Sequence, residues 1–115
     1  MKKIVQFIIF SIFLMWAPSI IFAHPPQSII LEWDDVNKTL LVYVTHFVDN
    51  PQRHFIKKIR IEVEGKLLEE RTYTDQKEFG GQKDIFKIDS TLTPKKITVI
   101  VECNLFGSMR KDLEL

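Results

Sequence analysis

Cysteine is almost missing from this chain of 115 residues: there is one, Cys103, in the stretch "VECNLFGS". An intrachain disulfide is therefore excluded, and the fold must rest on apolar burial alone. Glycine is nearly as scarce, with four residues, and none of them builds a phosphate-cradling loop or a dinucleotide turn. No charge of one sign dominates: the formal net charge is +1, which argues against nucleic acid as a partner. No internal repeat and no low-complexity linker divides the chain.

The one long apolar run is at the start. Met1-Lys2-Lys3 is a positive opening, and Ile4 to Ala23 is apolar apart from interruptions at Gln6, Ser11, Pro18 and Ser19. This is the pattern of an export signal with a cut after Ala23, although Ile21 is larger than the residue usually found at the third position before a cut. Left uncut, the same run is long enough to act as a membrane anchor. The expected location is therefore exported, periplasmic or extracytoplasmic, with membrane attachment only if the signal stays. The rest, 24–115, holds fourteen basic and fifteen acidic residues and is the size of one small domain.

Period-two alternation runs through that domain. Ser28 to Trp33 forms a first strand and "DDVNK" turns it. "TLLVYVTHF" is a second, with Leu40, Val42, Val44 and His46 on one face. "IKKIRIEVE" is a third, and "EGK" turns it into "LLEERTY". "KDIFKI", "ITVIVEC" and "RKDLEL" complete the set. In "ITVIVEC", Ile97, Val99, Val101 and Cys103 share a face. About seven short strands with turns between them and no helical stretch predict an all-β fold, an immunoglobulin-like sandwich.

Strand parity makes His46 and Cys103 the last residues of two inward rows, where a sandwich core opens towards its end. His24 lies just before the first strand, and His54 closes the loop that follows His46. Imidazole and thiolate are the donors that hold transition metals. Singly, a histidine is most often a surface or hydrogen-bonded residue, and a buried cysteine a small hydrophobe. Together, four donors at strand ends and loops make a candidate metal site. Arg53, Lys57 and Lys58 flank His54 and offer positive charge to steer an anion, or merely form a solvated strand face.

Three stretches carry a family resemblance. "HPPQSIILEW", "THFVDNPQRHFIKKIRIEVEGK" and "CNLFGS" resemble, in that order, the opening motif, the two-histidine loop and the closing Cys-Asn-x-His-Gly motif of the superoxide reductases, the iron domain of desulfoferrodoxin and neelaredoxin. The resemblance spans 24–115. It implies an immunoglobulin-like sandwich holding one mononuclear iron, with imidazoles in a plane, a cysteine sulfur on one axis and an open position opposite. Superoxide is reduced to peroxide there, and an electron-donor protein restores ferrous iron. Carried over, His24, His46 and His54 are the imidazole ligands and Cys103 the axial thiolate, which would also account for a lone thiol in an exported protein. The chain departs from the pattern at Phe106, where the family has its last histidine. The interval from His46 to His54 is longer than usual. Ala23 occupies a place near which the family often has a lysine.

Four functions remain open on these grounds: an exported superoxide reductase; a non-catalytic metal-binding or electron-transfer module; a copper site in which Met109 adds a weak axial sulfur to two histidines and Cys103; and a metal-free interaction domain. The copper reading lacks the histidine that such sites carry between cysteine and methionine.

Overall fold

The computed structural model describes residues 24–115; the signal segment expected at 1–23 lies outside them. Seven strands follow one another: β1 (Ser28–Asp34), β2 (Thr39–Thr45), β3 (Ile56–Val63), β4 (Lys66–Thr72), β5 (Gly81–Lys87), β6 (Lys96–Cys103) and β7 (Ser108–Glu114). They form two antiparallel sheets, β1-β2-β5 and β4-β3-β6-β7, with no helix among the described residues. This is the expected all-β sandwich.

Alternation places the core. Leu40, Val42 and Val44 of β2 face Ile59, Ile61, Val99 and Val101 of the other sheet's central strands, and all are fully buried. Replacing a residue such as Ile59 by alanine would cost about 2–5 kcal/mol, the usual penalty for a core cavity. Along one edge the sheets are also tied by polar groups. Tyr73 donates to Asp84 Oδ2 at 2.6 Å, and Arg71 pairs with Asp84 at 2.9 Å while lying over the Phe86 ring. Burial and the hydrogen bond to Asp84 push the Tyr73 phenol well above its ordinary range.

The end of β2 differs from the sequence expectation, and β3 carries a bulge. β2 stops at Thr45, opposite Gly81, instead of running through Phe47. His46 N donates to Gly80 O and Phe47 N to Gln27 Oε1, so both residues leave the ladder. Gly81 is required there, since a Cβ would sit 2.0 Å from Val44 O. In β3 the register with β6 shifts between Ile56 and Lys58, making Lys57 the extra residue of a bulge. The chain crosses between sheets at 46–55 and 73–80 on one end and at 88–95 on the other. The first end also holds residues 24–27 and the β6–β7 turn.

Candidate metal centre

Each chemistry-bearing side chain reaches that first end for a local reason. The inward row of β2 continues past Thr45 into His46, which is fully buried. Gln27 N donates to Thr45 O, extending the β1–β2 ladder backwards and laying residue 24 beside Phe47. His24 Nε2 then lies 2.7 Å from Phe47 O. Arg53 N and His54 N both donate to Asn50 O, curling the loop so that His54 turns inward. Asn104 stitches this curl to β6: its Oδ1 accepts from Phe55 N at 2.8 Å and its Nδ2 donates to Arg53 O at 2.9 Å. Ile56 pairs with Cys103, so His54 arrives next to the thiol.

The result is a tight cluster. The three imidazole centroids are 4.6–4.9 Å apart, with planes at 61°, 64° and 89° to one another. One nitrogen from each ring lies within 4.8 Å of the others. Cys103 Sγ, 5% exposed, is 3.1 Å from His54 Nε2. Burial lowers the His54 pKa first, and the neighbouring His46 and His24 lower it further; the His24 carbonyl and Asp49 act the other way.

Gln76 settles the state of His46. Its Nε2 donates to His46 O and to Glu78 O, both at 2.8 Å. Its Oε1 is therefore an acceptor, and it meets His46 Nδ1 at 2.9 Å. His46 therefore donates from Nδ1; in the neutral ring the lone pair is on Nε2, which lies 3.3 Å from the carbonyl oxygen of His24. In the neutral ring two acceptors face each other there, an arrangement that a cation, a second proton on His46 or a metal ion, relieves. A hydrogen bond that fixes the tautomer of a ligating imidazole is a usual companion of metal binding. The donor set thus fits a transition metal on chemical grounds, independently of any likeness.

The fold is similar to that of a superoxide reductase. The one-iron superoxide reductase of Giardia intestinalis superimposes with a TM-score of 0.57 at 17% identity, covering 81% of this chain and 98% of that one. A hypothetical protein of Pyrococcus horikoshii OT3 superimposes with a TM-score of 0.56 at 17% identity, covering 84% and 93%. No protein-family model and no curated protein matches the sequence. At this identity the likeness establishes the fold.

Of the four donors singled out in the sequence, the three histidines form one cluster, and Cys103 touches it through His54. Arg53 and Lys57 do not join them: both are exposed. Lys57, pushed out by its bulge, lines a shallow groove with Cys103, Asn104 and Phe106. Phe106 is 60% exposed, so the turn after Cys103 brings no further nitrogen. Met109 pairs with Val101 and packs against the hydrophobic core. Sequence reasoning missed Gln76 altogether. It sits in a polar loop without periodicity, and only its 3% exposure marks it.

Proposed function

We propose that residues 24–115 form an exported mononuclear iron-binding domain of superoxide-reductase type, with nitrogens of His24, His46 and His54 and the Cys103 thiolate as its ligands. The cluster of three imidazoles, with the Cys103 thiol against His54 and the His46 ring oriented by Gln76, carries the reading. Superoxide takes one electron and two protons to become hydrogen peroxide; iron would supply the electron and a place to bind, and a donor protein would restore it. The chain's own part is to hold three imidazoles edge to edge, keep the thiolate buried and exclude other oxidants with the surrounding core. Lys57 shares its groove with Cys103, on the thiolate's side of the cluster. Its ammonium is there placed to temper the sulfur's charge.

A second reading, a non-catalytic iron or copper module, is favoured by the solvent exposure of Phe106, since no fourth imidazole reaches the cluster. Two measurements separate the readings. Elemental analysis of the exported protein from iron-rich medium should find one iron per chain; absence of any transition metal overturns both and leaves an interaction domain. Rapid mixing of the ferrous protein with superoxide should show oxidation of the iron in a second-order step; no reaction leaves the non-catalytic module.

A further inference from the structure

Among the described residues the cluster offers three imidazoles and a thiol, and the side-chain amides beside it are already engaged. Asn104 spends its amide on Phe55 and Arg53, and Gln76 spends its own on His46, Glu78 and Ile56. Phe106 has no lone pair to give. What does enter the cluster is main chain. The His24 carbonyl oxygen is 3.3 Å from His46 Nε2 and also bears on His54. The nitrogen of residue 24 is held by covalent geometry roughly 3 Å from that oxygen. Residue 24 is fixed there from three sides. Gln27 continues the ladder to Thr45, the His24 ring meets Phe47 O, and Pro25 packs onto Gly107, where a Cβ would come within 2.6 Å of the proline ring.

The His24 ring adds a second observation. Its Nε2 is 2.7 Å from Phe47 O and its Nδ1 is 3.0 Å from Pro25 O. A neutral imidazole can donate to only one of them. Donation from Nε2 makes the shorter bond and leaves the lone pair on Nδ1, the ring nitrogen nearest the residue's own backbone. Nδ1 and an α-amine of the same histidine close a six-membered ring on one cation; Nε2 cannot reach to do so. As an amide, the nitrogen of residue 24 has no lone pair to offer, because it is delocalised into the peptide. As a free amine it has one.

We propose that cleavage after Ala23 makes His24 the N-terminal residue and that its α-amine and Nδ1 together chelate the metal, completing a set of four nitrogens and one sulfur with His46, His54 and Cys103. This rests on the iron-binding reading above and on the export signal of residues 1–23. Binding takes the amine as –NH₂, its extra proton passing to solvent as the metal enters. Signal removal then becomes a maturation step, in which the peptidase creates a ligand that the nascent chain lacks.

The test compares the full chain with one carrying a threonine inserted between Ala23 and His24, each exported from a bacterial host. Intact mass reads the start of each mature protein: His24 in the first, and threonine followed by His24 in the second. The insertion keeps the imidazole and turns the residue 24 amine back into an amide. Ferrous iron under anaerobic conditions, and cobalt(II) as a coloured stand-in, are then titrated against a competing chelator. We expect binding about tenfold or more weaker in the inserted protein, because a tethered donor acts at high effective concentration, with a changed cobalt ligand-field spectrum. Equal affinities and superimposable spectra would overturn the chelate while leaving the metal site standing. Failure of both proteins to bind either metal would overturn the site and the chelate together. A mature start other than His24 in the first protein would overturn the chelate outright.

Discussion

The two ends of this sandwich are built from the same strands and treat their polar groups in opposite ways. At the end formed by 35–38, 64–65 and 88–95, every carboxylate in a turn has a local task. Asp34 accepts from Val36 N, Asn37 N and Asn37 Nδ2; Glu64 Oε1 accepts from Lys95 N and Lys96 N; Asp89 accepts from Thr91 twice. Glu64 and Gly65 both have positive φ, the signature of a two-residue hairpin turn matched to strand twist. These groups are solvated and satisfied, and the hydrogen bonds hold the Asp34, Glu64 and Asp89 pKa values below the carboxylate range. At the other end two buried imidazoles, a half-buried third and a buried thiol are gathered, with ring nitrogens turned towards carbonyl oxygens. A protein closes a sandwich with the first arrangement. With neutral rings the second is unfavourable until a cation arrives, and that difference marks the candidate metal centre.

The most damaging way to break the contrast is to remove a donor. Cys103→Ser and His46→Ala should each abolish the iron expected at the proposed site, measured by elemental analysis, while circular dichroism keeps its β signature. Retention of full iron content in both would move the metal elsewhere. The next effect is at Gln76. Gln76→Leu frees the His46 ring to change tautomer and strands Glu78 O and His46 O. We expect a loss of about 10–100-fold in iron affinity, the usual cost of losing a residue that orients a ligand. Chemical denaturation should show about 1–3 kcal/mol less stability from the unmet buried groups. Unchanged affinity would show that His46 needs no such help.

Phe106→His sharpens the comparison in the other direction by offering a nitrogen from the β6–β7 turn. Since Phe106 is exposed, the fold should tolerate the change. Ferrous oxidation by superoxide should accelerate on the order of tenfold, about 1.4 kcal/mol of barrier, read by rapid mixing. Equal rates would mean that the site does not use that position. The smallest effect belongs to the satisfied end. Glu64 has its pKa lowered by the Lys95 and Lys96 amides. Its contribution is therefore fully present above the ordinary glutamate value of 4.5 and is lost as pH falls through the lower folded value. Glu64→Gln should flatten the acid limb of the melting-temperature profile and leave iron content untouched. A change in iron content would show that the two ends are coupled.

Much of this was legible in the residues. Alternation fixes which side of a strand a residue occupies, so His46 and Cys103 could be placed at the ends of inward rows without coordinates. His24 and His54, on loops, had no such period. What brings them in is Gln27 pairing with Thr45 and Asn104 clasping the loop around Arg53 and Phe55, contacts between residues 18 and 49–51 positions apart. The asparagine was visible as part of "CNLFGS", but not its work as a clasp. Gln76 had no pattern at all, because a single polar side chain buried by a loop leaves no periodic trace.

By itself, then, the sequence determined the seven strands, the faces they bury and the kinds of donor available, because hydrophobic period and side-chain chemistry are local properties of a chain. Only the tertiary structure decided that three histidines, one before β1 and two from the 46–55 loop, bring ring nitrogens within 4.8 Å of one another with the thiol against one of them. It alone decided which ring nitrogens keep their lone pairs, and that the backbone of residue 24 stands among them. Distances between loops depend on how two sheets stack and where a ladder ends. A tautomer depends on the one acceptor that packing places 2.9 Å away.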